Sequence, residues 1–313
     1  MKELFERKRK LQIVSVNKMA DNAPDIVANS ERRYESRIRA AADKIISSGC
    51  RAVMLSGPSG SGKTTSSLKL AGELRLRGVV SEVISLDDFF KNLKDYPETS
   101  DGKKDLESVY AVDIDLVNEK LYELVYSGHA EIPQFDFVKQ CRKSETLKME
   151  LFDDGVAIIE GIHALNPLLN DAINHSDAFR IYAGLREEYY LGNERIVATR
   201  DIRIARRMIR DFYFRGYSIQ DTLAIWDNLL AGEETWVKVF KSEADMLLDT
   251  SFTYEPCVFK ILLEKLLAVP EQGGDRRSEL EELAERYADF VAVEEDLIPK
   301  RSMLREFIGG LTL

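Results

Sequence analysis

The sequence predicts an α/β protein built on a doubly wound, mostly parallel sheet. Three features carry that expectation. A glycine-rich turn, Gly57 to Gly62, joins an apolar run to a helical one; two other short apolar runs end in acids; and helical patterns separate the runs. With 313 residues, 44% hydrophobic and 31% charged, the chain has ample core for one large domain or two small ones.

The first thirty residues are mixed in charge and weakly patterned. From Ser30 a helix is expected, because Tyr34, Ile38, Ala41 and Ile45 recur on one face and Gly49 closes it. Arg51 to Leu55 suits a buried parallel strand. It runs into Ser56-Gly57-Pro58-Ser59-Gly60-Ser61-Gly62-Lys63-Thr64-Thr65, and Thr64 to Arg77 then reads as a helix stopped by Gly78. A turn of this kind points successive backbone N–H groups into one concavity. The helix N-terminus adds its positive end, and both favour phosphate. Gly57, Ser59, Gly60, Ser61, Gly62, Lys63, Thr64 and Thr65 are therefore the candidate nucleotide-binding residues. Lys63 is placed to reach the β- and γ-phosphates, and the Thr64 hydroxyl to take one position on Mg²⁺. The expected ligand is a nucleoside triphosphate, ATP or GTP.

Ser81 to Leu86 reads as a second strand ending at Asp87-Asp88-Phe89-Phe90. Ligands of doubly wound sheets sit at the carboxyl ends of strands. An acid at this tip accepts a proton from an attacking hydroxyl, helps to hold the metal, or is a solvated loop acid. Lys91 to Asp105 is polar and turn-rich, a surface loop, and Asp115 to Tyr126 reads as a helix ended by Gly128. Glu131 to Val138 and Thr146 to Leu151 look like two strands flanking a charged turn. The aromatics of such an inserted hairpin, Phe135 and Phe137, either floor a pocket for a flat ring or fill core. Val156 to Gly161 is the next buried strand, and its acid, Glu160, suits the orientation of Mg²⁺ or its water. His163 nearby reads as a hydrogen-bonded structural residue rather than a ligand.

Phe179 to Ala183 is a fourth strand. Beyond it Arg200, Arg203, Arg206, Arg207, Arg210 and Arg215 crowd together, diluted only by Asp201 and Asp211. On a helix Arg203, Arg206, Arg207 and Arg210 share one face. Guanidiniums so placed repel unless anions lie between them, and bidentate phosphate recognition is their natural use. A lid closing over transferring phosphate is a better reading than a nucleic-acid patch or a solvated face, because no other basic loops accompany the cluster. Ile219, Leu223, Trp226 and Leu230 form a core stripe, and Ala244 to Asp249 a last strand. Glu271 to Asp275 is a linker. The acidic helix after it carries Leu280, Leu283, Tyr287 and Phe290 on one side. It packs on this domain or on a second subunit, which leaves a homo-oligomer open. Met303 to Leu313 is apolar enough to be docked.

The chain thus divides into an N-terminal helical extension (1–50), a central domain (51–270) with an insertion near 91–150 and a lid near 195–218, and a helical tail (271–313). A net charge of −10 speaks against nucleic acid or anionic membrane as partners. No apolar run approaches the roughly 20 residues that span a bilayer, and the start is too charged for a signal peptide. Cys50, Cys141 and Cys257 lack metal spacing and read as free thiols of a reducing cytoplasm.

A set of motifs in order carries a resemblance: the turn at Gly57 to Thr65, then Ser85-Leu86-Asp87-Asp88-Phe89-Phe90, then Phe135-Asp136-Phe137 with Arg142-Lys143. Ile159-Glu160-Gly161-Ile162-His163, Arg203 to Asp211 and the terminal Leu304-Arg305-Glu306-Phe307-Ile308-Gly309-Gly310 complete it. From about Ser30 onward the chain resembles the uridine kinase and phosphoribulokinase family of P-loop kinases. Within that family it looks most like bacterial nucleoside kinases related to threonyl-tRNA-synthetase-like uridine kinases, although synthetase-like domains do not fit in the residues before Ser30. The resemblance implies that Asp87 is the catalytic aspartate and Glu160 the metal-associated acid, with Arg203 and Arg207 in a lid that meets phosphate and sugar. It sets Glu107, within a residue or two of Asp105, against the ribose hydroxyls, and Phe135, Phe137, Gln140 and Arg142 around the acceptor. Uridine kinases carry tyrosine where this chain has Phe135, and a base-reading histidine where it has Gln140. Phe135 can still stack, and Gln140 offers both donor and acceptor. The expected activity is therefore transfer of a γ-phosphate to a primary hydroxyl, that of a uridine- or cytidine-like nucleoside at its 5′ position. A sugar phosphate or pantothenate-like acceptor is the alternative, and a catalytically silent nucleotide-binding regulator a third reading. A signalling GTPase is disfavoured, because Asn17-Lys18-Met19-Ala20 lacks the final acid of the guanine-reading motif and lies upstream of the loop.

Overall fold

In chain order, strand β1 (Arg9–Gln12) leads through helices α1 (Ile13–Ala20) and α2 (Ala23–Ser48) to β2 (Ala52–Ser56), α3 (Lys63–Leu76) and β3 (Ser81–Ser85). Helix α4 (Ile114–Tyr122), the hairpin β4 (His129–Asp136) and β5 (Cys141–Glu150), and strand β6 (Val156–Glu160) follow. The second half holds β7 (Ala178–Gly184), β8 (Glu187–Leu191), β9 (Glu194–Val197), α5 (Thr199–Phe214), α6 (Ile219–Trp236) and β10 (Met246–Asp249). It closes with α7 (Glu255–Ala268), α8 (Arg277–Glu285) and the short α9 (Arg305–Ile308). The structure, a computed structural model, describes residues 7–98, 102, 104–105, 107–137, 139–152, 154–269 and 274–313.

Five parallel strands form the central sheet in the order β10-β7-β2-β6-β3. Strands β2 and β6 are buried along their whole length, as apolar strands covered on both faces must be. Alternation divides their side chains between two cores. Val53, Leu55 and Ile158 pack with α2, α3, α5 and α7, whereas Ala52, Met54 and Ile159 pack with α4 and residues 109–125. Register then sets the site: Glu160 pairs with Leu55 of β2 and with Ser85 of β3. The tips of three strands are therefore level, with Gly57, Asp87 and Glu160 at one end of the sheet.

The N-terminal region is more ordered than its weak pattern suggested. β1 pairs in parallel with β8, which forms an antiparallel hairpin with β9, giving a separate three-stranded sheet. Helix α2 starts at Ala23 rather than Ser30 because Pro24 fits its first turn and Ile26 and Val27 extend the buried stripe. Its expected end holds, since Gly49 caps it in the left-handed conformation. The β4–β5 turn is tighter than expected, so that β5 begins at Cys141 and Gln140 sits in the turn at φ 53°. The expected linker lies outside the described residues from Glu271 to Gly273, as does Val138 at the end of the expected first hairpin strand. Residues 99–101, 103 and 106 of the region before α4 are outside them too. Met303, Leu304 and Phe307 of the terminal segment are buried in the same cluster as Ile13 of α1 and Tyr34 of α2. The N- and C-terminal regions thus share one core with the central sheet.

The arginine-bearing helix is α5, and one arginine of its shared face is a core residue. Arg206 is fully buried and donates through Nε and Nη2 to Glu255 at 2.5 and 2.8 Å, and to the carbonyls of Gly60 and Thr250 at 3.1 and 2.9 Å. This corrects the expectation that the whole face meets bound phosphate, because the missing anion for Arg206 is a carboxylate of α7. Breaking a buried pair leaves a charge without compensation. Arg206→Ala should lower unfolding stability by about 3–5 kcal/mol in urea titration.

Candidate active site

The phosphate loop follows β2 and turns into α3. A Cβ at Gly57 would overlap the Ala183 carbonyl of β7, so only glycine lets the loop approach that strand. Gly62 caps α3 at φ 80°, where it must also admit Met303 beside it. Lys63 Nζ donates to Pro58 O at 3.1 Å, folding the side chain back over the loop. Burial lowers its pKa, while Glu160 and Asp87 act to raise it. The Ser61 hydroxyl is buried without a hydrogen-bond partner.

Three acids meet this loop from the strand tips and the segment before α4. Glu160 Oε1 accepts from Ser85 Oγ at 3.0 Å and from Thr64 Oγ1 at 3.4 Å. Burial, with Asp87 nearby and Lys63 opposing, pushes its pKa up to about 7. Asp87 is raised by burial against the attraction of Lys63, and Asp88 adds to the rise. Glu107 is pushed up to about 7 by burial and by Glu233, with Arg207 opposing. The backbone N–H of Glu107 donates to Asp105 at 3.1 Å. Asp105 therefore shapes the turn, while Glu107 is the acid whose carboxyl feels Asp87 and Lys63. Burial pushes His163 down to about 4, against the backbone groups of Trp236 and Glu107 that face its ring.

Two further carboxylates sit on the loop itself, and sequence reasoning had not assigned them. Glu233 of α6 accepts from Ser59 N at 2.9 Å and pairs with Arg203. Arg203 Nε also donates to Ser59 O at 2.7 Å, and Arg207 Nη1 to Ser59 Oγ at 2.9 Å. Glu306 of α9 accepts from Thr65 N at 3.1 Å and from Thr65 Oγ1 at 2.5 Å. The chain's own anions thus occupy backbone donors at both ends of the loop. A legible signal existed for Glu233: it falls seven residues after Trp226, on the apolar stripe of α6, where an acid needs a buried partner.

The hairpin residues divide. Phe135 is buried and meets Phe90 and Phe137 edge-on at 5.9 and 5.2 Å, and its N–H donates to Asp88 at 3.1 Å. Asp88, left without a role by the sequence, ties the hairpin to the tip of β3. Phe137 and Gln140 are exposed. Arg142 donates to Asp113 at 3.2 Å and to the carbonyls of Phe89 and Phe90 at 3.3 Å, so it fastens scaffold.

The arrangement fits phosphate with Mg²⁺. The Thr64 hydroxyl and the carboxyls of Glu160 and Asp87 are the oxygen ligands that Mg²⁺ takes, and phosphate oxygens complete such a shell. The partnerless Ser61 hydroxyl faces the same need for an acceptor. Among the described residues no three His, Cys, Asp or Glu side chains form a metal cluster of their own. Also among them, no helix is long and apolar enough to cross a membrane.

Residues 52–254 match the Phosphoribulokinase / Uridine kinase family. A uridine kinase of Schizosaccharomyces pombe is 29% identical over 201 residues, 63% of this chain and 40% of that protein. The chain thus spans well under half the length of that relative. A uridine kinase of Staphylococcus haemolyticus is 28% identical over 197 residues, 62% of this chain and 84% of that one. The structure of a possible uridine kinase from Bacillus stearothermophilus aligns with a TM-score of 0.48 at 16% identity, over 68% of this chain and 98% of the other. The chain belongs to the phosphoribulokinase/uridine kinase family of kinases.

Glu306 holds both Thr65 donors, which the sequence pattern assigns to the nucleotide. A charge-assisted hydrogen bond contributes about 1.5–3 kcal/mol. Glu306→Ala should therefore tighten MgATP binding about tenfold or more in calorimetric titration, whereas unchanged or weaker binding would make Glu306 part of the nucleotide's own contacts.

Proposed function

We propose that this family member uses ATP or GTP with Mg²⁺ to phosphorylate a primary hydroxyl, the 5′-OH of a nucleoside. The observation that carries the reading is the level placement of Asp87 and Glu160 at the tips of adjoining strands, with Lys63 at the start of α3 close enough to Asp87 for the two to shift each other's pKa. Phosphoryl transfer needs position and charge compensation more than covalent chemistry. The loop N–H groups and Lys63 hold the triphosphate. Asp87, made more basic by burial, accepts the proton of the acceptor hydroxyl. The hydroxyl oxygen bonds to the γ-phosphorus as the bridge to the β-phosphate breaks, releasing the nucleoside diphosphate. Mg²⁺, when bound, neutralises charge on the β- and γ-oxygens, and Thr64, Glu160 and Asp87 are the groups that would hold it. Arg203 and Arg207, which contact Ser59, meet the charge on the transferred group. Glu107 takes the ribose hydroxyls and Phe135 the base.

The name uridine kinase carried by both relatives supports a nucleoside acceptor. One observation favours a second reading, a non-nucleoside acceptor such as a sugar phosphate or a pantothenate-like compound. Gln140 is exposed in the hairpin turn and Arg142 is committed to Asp113, so neither is set to read a base edge. The test is release of ADP from MgATP with uridine, cytidine, 5′-deoxyuridine and non-nucleoside alcohols. Uridine or cytidine should stimulate it strongly and 5′-deoxyuridine should not. Stimulation by non-nucleosides alone would select the second reading.

A further inference from the structure

Helix α6 touches both halves of the transfer site through two adjacent residues. Glu233 Oε1 accepts from Ser59 N at 2.9 Å and pairs with Arg203, so this residue holds the phosphate loop. Gly232, one position back, stands against Glu107: a Cβ there would fall 2.4 Å from the Glu107 Cβ and 3.0 Å from its Cγ. Gly232 keeps helical backbone, so no left-handed turn calls for glycine, and glycine within a helix is less favourable than alanine. What the glycine provides is room for the acid. The close approach falls on Cβ and Cγ rather than on the movable carboxyl end, so a side chain at 232 displaces the segment and not only the carboxylate.

The same face of α6 supports that segment one turn further on. Positions 232 and 236 lie on one side of a helix, and the Trp236 ring meets Tyr110 edge-on at 5.8 Å. His163, 2% exposed just past β6, has backbone groups of both Glu107 and Trp236 facing its ring. Asp105 takes the Glu107 N–H at 3.1 Å and closes the turn. The segment that carries Glu107 is thus seated on α6, and Glu233 of that helix is the charge that acts on the acid most strongly. One helix therefore fixes the loop on one side and the acceptor acid on the other.

We propose that Gly232 is a positioning residue for phosphoryl transfer, seating Glu107 so that α6 acts as the spacer between the phosphate loop and the acceptor. Its role rests on that of Glu107 at the acceptor, as proposed above. A hydroxyl and a γ-phosphate react only when held close and aligned, and a misplacement of about 1 Å costs on the order of 10²-fold in rate. Contacts from adjacent residues of one rigid helix set that separation more narrowly than loops could.

The test is Gly232→Ala. The KM for the acceptor should rise about tenfold in the ADP-release assay while the KM for MgATP stays unchanged, because Glu233 still holds Ser59. An unchanged acceptor KM, or equal rises for both substrates, would overturn the role. Where only a non-nucleoside alcohol stimulates release, the nucleoside reading falls and the same comparison is made with that alcohol. The seat is also read without turnover, by carbodiimide coupling of carboxyls to glycine ethyl ester and peptide mass spectrometry. Glu107 should label about tenfold faster in the variant, relative to the buried Glu255, because its carboxyl loses its place against α6. Equal labelling of Glu107 in the two proteins, or equal acceleration at both acids, would overturn the proposal even if no alcohol is phosphorylated.

Discussion

The phosphate loop makes one demand that the surrounding structure meets: its backbone N–H groups and the positive end of α3 converge on one space, and the first donors of a helix have no acceptor within it. Anions must be found, and in this structure Glu233 and Glu306 supply them at Ser59 and Thr65. The helices that carry these acids are anchored accordingly. α6 reaches the loop through Glu233 and Arg203, and the terminal segment reaches it through Glu306 and Met303. The C-terminal residues are therefore part of the loop's architecture as well as of the core.

Charge pairing explains the arginine helix in the same terms. A row of guanidiniums requires anions, and α5 obtains several from its own chain: Glu233 for Arg203, Glu255 for Arg206, and Asp211 for Arg207 and Arg210. Arg206 is thereby removed to the core, where it binds the Gly60 carbonyl and steadies the loop from behind. Arg203 and Arg207 stay in reach of Ser59. Helical spacing groups the six arginines without ranking them; the ranking comes from partners on α6 and α7, distant in sequence.

Much of the fold was legible in the chain. The strand, turn and helix around Gly57 to Leu76, the acids at the tips of β3 and β6, and the stripe of α2 all follow from short-range pattern, which is where periodicity and glycine chemistry act. β1 was not legible, because a four-residue strand of Arg-Lys-Leu-Gln has no apolar alternation and is held by pairing with β8 and by Arg9 on Glu187 and Asp249. In the site, the placement of Asp87 and Glu160 at strand tips followed from the apolar runs before them, whereas the roles assigned to them rest on the resemblance. Glu306 was not, because its role depends on a contact 241 residues away in the chain. Arg142 and Asp88 show the converse: polar residues beside a site serve to fasten the hairpin to β3.

These contacts give Asp87 a definite place in the account: a carboxylate at a strand tip, made basic by burial and restrained by Lys63. The most direct measurement is a paired one on Asp87→Asn, MgATP affinity by titration and acceptor-stimulated ADP release by coupled assay. Affinity close to that of the unaltered protein is expected, with turnover lower by about 10²–10⁴-fold. Turnover that survives the substitution would contradict this expectation, and would remove Asp87 from the role of proton acceptor.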